Sequence, residues 1–561
     1  MKPVKNIKWY SWRYWLVLLF FFIFIVLLWS RAAQLMLFQQ TFLQHQGDIR
    51  SLRVIETPAS RGMMVDRNYQ PLAVSTSVYS VWVNPQQFTL TNENVQLVST
   101  VLSLPLSSLY EKIKTHAHKS FLYLARDLPP ELAAQVLDLH LPGIYLENSY
   151  KRYYPEGEVA SQVLGYTNVD DQGQEGMEFA YNLWLSGKKG KQEVIQDLKG
   201  HVVSVLKTIE AQQAGKTLVL SIDKRIQFIA YQALQEAVQT HQAQAGTAVV
   251  LDIQTGEILA MVNQPSFNPN DRTTGYSSAY RNRAVTDVFE PGSTMKAFSV
   301  FSALDSGKYE PDTVIETAPG YWRVGKNWVR DELNYGTLTV TGVLQKSSNV
   351  GVAKMILSLP DNQLWSVLHR VGFGQKTSSY FPGEQAGYLI HQEEWKPFAL
   401  STLAFGYGVS VTTLQLAQAY SVIGNHGIKV PVTFLRQEKP VIGEQVIDAA
   451  VADKMLLLLE SVVDGGGTGS RAGAGGYRVA GKTGTARVAI PGGYDKHAHI
   501  GSFVGIAPVS HPRLVVAVVI FKPDERAYFG GLVAAPAFGR IMEHALRLLN
   551  VPPDAREKPD L

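Results

Sequence analysis

The sequence predicts an α+β protein: an antiparallel sheet flanked by helices forms a C-terminal domain, which follows an elongated N-terminal domain and one N-terminal transmembrane helix. Three observations carry this. A chain of 561 residues exceeds what one hydrophobic core usually serves, so at least two folded domains are expected. Tyr14 to Ser30 runs uncharged and almost wholly apolar behind a basic tail. From Thr217 onward the pattern changes, with short β-branched runs alternating with helical periodicity.

In chain order, residues 1–13 carry Lys2, Lys5, Lys8 and Arg13 and no acid, which predicts a cytoplasmic tail by the positive-inside rule. The span is assigned to 14–33, with Trp9, Trp12, Trp15 and Trp29 near its ends as interfacial anchors. A cleaved signal peptide is the alternative, but the apolar run exceeds the usual signal core and Ser30-Arg31-Ala32 is a poor cleavage site. Ala33–Gln46 reads as a helix leaving the membrane surface. Tyr79, Val81 and Val83 alternate as a strand, and residues 90–145 read as short helices with Pro and Ser punctuation. Glu175 and Glu178 form a carboxylate pair whose expected role is ion pairing with arginines such as Arg61 or Arg152. Gly187–Lys216 is rich in Gly, Lys and Gln, and the domain boundary is placed near 215. Beyond it, 218–223 reads as a strand, 225–238 as a helix, and 246–252 with 257–262 as a hairpin. Tyr477–Val479 leads as a strand into Lys482, residues 500–504 and 514–521 read as antiparallel neighbours, and 535–549 as a closing amphipathic helix.

The balance of 52 basic against 48 acidic residues, with no long basic run, argues against a nucleic-acid partner. With no cysteine, disulfides, thiolate metal sites and a cysteine nucleophile are excluded. The pairs His116/His118 and His497/His499 lack third and fourth ligands nearby in sequence, so they read as solvated or hydrogen-bonded residues; no metal and no cofactor is expected.

The chemistry concentrates at Phe289-Glu290-Pro291-Gly292-Ser293-Thr294-Met295-Lys296. Pro291 and Gly292 are helix-entry residues, and Ala297, Phe298, Val300 and Phe301 continue at helical spacing. Three residues separate Ser293 from Lys296, so both fall on one helical face, where an amine can take the hydroxyl proton. A helix start also offers free N–H groups where an oxyanion would form. The spacing recurs at Ser186/Lys189 and Ser204/Lys207, and a stray Ser-x-Asn lies at Ser266/Asn268. What singles out Ser293 is the downstream order: Ser347-Ser348-Asn349, then Lys482-Thr483-Gly484-Thr485.

With these three motifs, and with Arg61-Gly62, Arg152-Tyr153-Tyr154-Pro155, Glu175-Gly176-Met177-Glu178, Phe381-Pro382-Gly383-Glu384 and Gly406-Tyr407-Gly408, the chain resembles the class B penicillin-binding proteins, monofunctional peptidoglycan D,D-transpeptidases. Within that class it is most similar to the septal, division-specific enzymes. The resemblance implies a penicillin-binding transpeptidase domain (216–550) on a pedestal related to the dimerisation domain of that family (34–215), with 551–561 as a tail. It implies Ser293 as nucleophile, Lys296 as base activated by Lys482, Ser347 as proton relay and Asn349 as the holder of Lys296 and the substrate amide. Thr483, Gly484 and Thr485 would bind the terminal carboxylate, and the N–H groups of Ser293 and Thr485 would form the oxyanion hole. Implied partners are peptidoglycan stem peptides on lipid-linked or nascent strands, β-lactams, the inner membrane, an FtsW-like glycosyltransferase and other division proteins. The alternatives are an elongation-specific transpeptidase, a β-lactam sensor or scaffold without turnover, and a β-lactamase, for which no deacylating base is marked.

Overall fold

The computed structural model describes residues 11–196, 202–271, 277–439 and 441–555, and the chain forms two compact units. The basic stretch Lys2–Lys8 lies outside the described residues.

The first unit comprises the chain through Ala59, Tyr79–Asn148 and Lys188–Gln213. The apolar helix Ser11–Ala33 continues as a π-type segment, Gln34–Phe38, and Trp12–Phe38 is long and apolar enough to cross a membrane. Helices Asn92–Leu102, Leu106–Thr115 and Pro130–Asp138 bury Val95, Val98, Leu109, Ile113 and Val136 around Val81, Val83 and Leu124. The Gly, Lys and Gln rich stretch, for which no strand was expected, contains two, Gly190–Gln196 and Val202–Glu210. They form an antiparallel sheet with Leu52–Thr57, the 190–196 strand lying in the middle. Composition concealed them because Val202–Glu210 is exposed on both faces, so no burial alternation marks it.

The second unit gathers Ser60–Val78, Ser149–Gly187 and Ala214–Leu561. Its sheet is antiparallel, built of β1 (Ala245–Asp252), β2 (Ile258–Gln264), β3 (Ala480–Ile490), β4 (Gly493–Ala507) and β5 (Leu514–Phe521) in the order β2-β1-β5-β4-β3. The helices used below are α1 (Lys224–Thr240), α2 (Lys296–Asp305), α3 (Val340–Lys346), α4 (Asn349–Leu357), α5 (Thr413–Gly424), α6 (Ala449–Val463) and α7 (Ala535–Leu548). Side chains alternate across a strand, so Ala248 and Val250 of β1 join one core with α1 and α7, while Val249 and Leu251 join another with α2, α5 and α6. Both faces are covered, which is why β5 reads as an unbroken apolar run and every residue of β1 is buried. The expected strand 218–223 is shorter than predicted: only Leu218–Val219 pair as a strand, and the buried Asp223 caps α1 by accepting from the Arg225 N–H.

This unit also buries a charge cluster. Glu178 accepts from Arg61 Nε and Arg152 Nε, each at 2.6 Å, and its backbone carbonyl accepts from Arg61 Nη2 at 2.9 Å. All three side chains are at most 1 % exposed. The expected arginine partners are therefore the observed ones, and Glu178 rather than the exposed Glu175 is the carboxylate they share.

Candidate active site

β3 is an edge strand. One side pairs with β4, matching Lys482 to Val504 and Thr485 to Gly501; the other side borders a cleft of ≈ 1070 Å³. Strand alternation sends Lys482 and Gly484 one way and Thr483 and Thr485 the other. Gly484 is needed for close approach: a Cβ there would lie 2.3 Å from Ser502 Oγ and 2.8 Å from Thr294 Cγ2, so any side chain would push the Ser293 turn away from the strand. Gly292, at φ +54°, makes the reciprocal approach, a Cβ there falling 2.8 Å from the Thr485 carbonyl.

Ser293 sits in a 3₁₀ turn, Gly292–Met295, that feeds α2, and its hydroxyl lines the cleft. Lys296 is the first residue of α2 and is 1 % exposed. Its Nζ donates to the Ser347 carbonyl at 2.5 Å and to Ser347 Oγ at 3.1 Å. Ser347 ends α3 in the left-handed region, φ +59°, a conformation costly for a residue with a Cβ and characteristic of functional turns. The next residue, Ser348, fixes the loop by capping α4 through the Gly351 N–H and donating to Asp331 Oδ2 at 2.6 Å. Lys482, fully buried, reaches the same Ser347 Oγ at 3.1 Å and Thr483 Oγ1 at 3.3 Å.

Two amines therefore share one hydroxyl, and neither has a carboxylate within salt-bridge distance among the described residues. Burial pulls Lys296 down to about 7, against the weaker opposing pull of Asp331 and Glu332. Lys482 is driven well below the usual lysine range, by burial first and then by repulsion from Lys296. The pair loses a proton as a unit, and what remains is a neutral amine near neutral pH. Lys482 was expected to supply a neighbouring charge that lowers Lys296; here desolvation is the first cause. The arrangement is suited to removing a proton from Ser293 and passing one through Ser347.

Residues 246–543 match the family model for the penicillin binding protein transpeptidase domain, and 56–220 match the penicillin-binding protein dimerisation domain. The chain belongs to the class B penicillin-binding proteins. It is 42% identical over 544 residues to the probable peptidoglycan D,D-transpeptidase PbpC of Pseudomonas aeruginosa, covering 97% of this chain and 96% of that one. It is 40% identical over 550 residues to the peptidoglycan D,D-transpeptidase FtsI of Escherichia coli, covering 97% and 93%. A solved peptidoglycan synthetase from Bifidobacterium adolescentis superposes with a TM-score of 0.70 at 27% identity, covering 90% of this chain and 98% of that one. The transpeptidase domain of penicillin-binding protein 3 from Burkholderia pseudomallei gives 0.56 at 42%, covering 60% and 98%. This penicillin-binding protein is accordingly a peptidoglycan D,D-transpeptidase.

In this penicillin-binding protein Ser293, Lys296, Ser347, Asn349, Thr483 and Thr485 all line one cleft, and Lys482 and Gly484 lie in the strand beside it. One expected contact is absent: Asn349 Nδ2 donates to the Arg330 carbonyl at 2.8 Å rather than holding Lys296, whose hydrogen bonds go to Ser347. Asn349 opens α4, which directs its side chain along the neighbouring hairpin.

Several wall residues escaped sequence reasoning. Thr468 Oγ1 lies 2.8 Å from Thr483 Oγ1. Glu290 accepts from the Gly408 N–H at 2.8 Å and from Tyr494 OH at 3.2 Å, and Tyr494 meets Tyr407 edge to face. Tyr528 stacks on His499 at 3.9 Å. Glu290 stood in the quoted Ser293 stretch, His499 in a histidine pair and Tyr407 in the Gly406-Tyr407-Gly408 resemblance, but none with these contacts. Of the other histidines, His116 Nδ1 is 2.8 Å from the Lys112 carbonyl and His497 Nδ1 is 3.1 Å from Glu525.

Proposed function

We propose that this D,D-transpeptidase works through an acyl-enzyme on Ser293. The observation that carries the reading is the convergence of Lys296 and Lys482 on Ser347 Oγ inside the cleft that Ser293 lines. Neutral Lys296 takes the Ser293 proton as Oγ attacks the carbonyl of the penultimate D-alanine of a donor stem peptide. The N–H groups of Ser293 and Thr485 stabilise the oxyanion, each donor contributing on the order of 3 kcal/mol. Ser347 relays the proton to the departing D-alanine, Thr483 and Thr485 receive its carboxylate beside Gly484, and Asn349 contacts the substrate amide. An amine from a second stem peptide then releases the acyl group. A β-lactam enters as a donor mimic and leaves Ser293 acylated.

The biological setting follows the same reading. Residues 14–33 anchor the protein in the inner membrane with 1–13 cytoplasmic, 34–215 form the pedestal, and 216–550 carry out cross-linking outside. Similarity to FtsI favours septal wall synthesis during division, with an FtsW-like glycosyltransferase and other division proteins as partners, over a side-wall role. Mass spectrometry of the intact protein after penicillin, with the modified peptide mapped, tests the chemistry. One adduct on the peptide containing Ser293 is expected, and an adduct elsewhere or none would refute it.

A further inference from the structure

The reaction needs a second substrate, and one charge pair beside the cleft has no other use in the fold. The hairpin Tyr321–Val324 and Asn327–Arg330 ends in Arg330-Asp331-Glu332. Asp331 is locked inward: its Oδ2 accepts from Ser348 Oγ at 2.6 Å and its Oδ1 from the Val350 N–H at 2.9 Å. The Arg330 carbonyl is held by Asn349. The residues flanking Asp331 are thus presented from a fixed point directly behind the Ser-x-Asn loop. Their charged groups, a guanidinium and a carboxylate, make no hydrogen bond or ion pair among the described residues, not even with each other. Both line the main cleft, and both also line an adjoining cavity of ≈ 310 Å³ formed with Pro319, Tyr321 and Asn334, so the two spaces meet at this pair. The Glu332 carboxylate is near enough to the reacting centre to favour the charged forms of both Lys296 and Lys482.

We propose that Arg330 and Glu332 bind the acceptor stem peptide, with Glu332 receiving its ammonium group and Arg330 a carboxylate carried close to that amine. The inference rests on the reading that Ser293 is acylated. It assigns the acceptor a chemical class: an amino-acid terminus bearing both charges, entering through the smaller cavity while the donor occupies the larger cleft. At Glu332 the ammonium is concentrated beside the ester. Once it gives one proton to the neutral lysine pair, which passes it to solvent, its lone pair forms the C–N bond, the C–O bond to Ser293 breaks, and the second proton lost by the attacking nitrogen moves through the same pair to Ser293 Oγ. Unpaired charges flanking a fixed aspartate suit a zwitterion, because each receives one charge of the ligand without first breaking an internal ion pair.

The test uses the full chain in detergent, a benzoyl-D-alanine thioester as donor, and D-alanine or D-alaninamide as acceptor. Aminolysis and hydrolysis products arise from one acyl-enzyme, so their ratio is independent of acylation rate. With D-alanine, Glu332→Gln and Arg330→Gln should each lower that ratio by at least about fivefold. With D-alaninamide, which lacks the carboxylate, Arg330→Gln should match the wild type while Glu332→Gln still falls. Arg330→Lys should recover part of the loss. Wild-type protein needs no variant to fold: per unit of free amine it should favour D-alanine over the amide by at least about fivefold. Acyl-enzyme with wild-type partition in both variants, or no preference for D-alanine in the wild type, would overturn the assignment alone. Absence of any acyl-enzyme in the wild type would overturn the Ser293 reading with it.

Discussion

Two buried charge clusters sit in the same unit and are built in opposite ways. At Glu178 one carboxylate is clasped by Arg61 and Arg152 at 2.6 Å each, so each buried guanidinium lies in contact with the opposite charge. At Ser347 two lysines converge on a neutral hydroxyl at 3.1 Å with no carboxylate in contact, and burial is left uncompensated. The first arrangement sets opposite charges in contact; the second leaves two amines buried without a counter-charge, which makes the charged form costly and yields a neutral base near pH 7. A compensated cluster holds a shape, whereas an uncompensated one holds a reactive protonation state.

The largest effect expected from breaking this contrast is at the nucleophile. Ser293→Ala should abolish penicillin labelling, a loss of at least about 10³-fold, while leaving stability nearly unchanged, because its hydroxyl caps neither the 3₁₀ turn nor α2. Gel fluorescence with a labelled penicillin and a thermal melt read the two quantities separately. Glu178→Gln should do the reverse. It leaves two buried guanidinium groups uncompensated and should destabilise the protein by about 3–5 kcal/mol, seen as a lower melting temperature. Acylation by the protein that remains folded should stay within about twofold of wild type, below what a lost transition-state contact costs. A Glu178→Gln protein that melts normally but acylates slowly would make the two clusters one functional system.

How far this contrast was legible in the sequence differs between its halves. Ser293, Lys296, Ser347 and Lys482 were found because each belongs to a short motif with fixed spacing, and Arg61 and Arg152 were named as partners for the Glu175/Glu178 pair. The sheet was visible wherever an apolar run ended at a turn, as at Gln254-Thr255-Gly256 between β1 and β2. Thr468, Tyr494 and Asp331 were invisible. Each works through contacts across the fold, such as Thr468 to Thr483 or Asp331 to Ser348, and no local pattern encodes such contacts. The direction of Asn349 was misjudged for the same reason: its position in the motif is local, but its hydrogen bond to Arg330 is tertiary.

Smaller effects sharpen the comparison. Lys482→Ala should slow β-lactam acylation by at least about tenfold, or roughly 1.4 kcal/mol of transition-state stabilisation, with arginine rescuing only part. Stopped-flow acylation with a fluorescent penicillin reads this, and a near-wild-type rate in folded protein would reduce Lys482 to support for the sheet. Thr468→Val, which removes only the partner of the Thr483 hydroxyl, should cost about threefold, in keeping with one neutral hydrogen bond. The same assay checks it.

The pH dependence of that acylation rate tests the uncompensated lysine pair most directly. Lys296 works as a base only when neutral, and its proton affinity is lowered to about 7, so the rate should climb with pH through that value and then level off. Removing a neighbouring positive charge raises the proton affinity of the amine left behind, so the rising limb of Lys482→Ala should move to higher pH. A rate independent of pH between about 5 and 9, or a limb near the ordinary lysine value of about 10.4, would contradict the account.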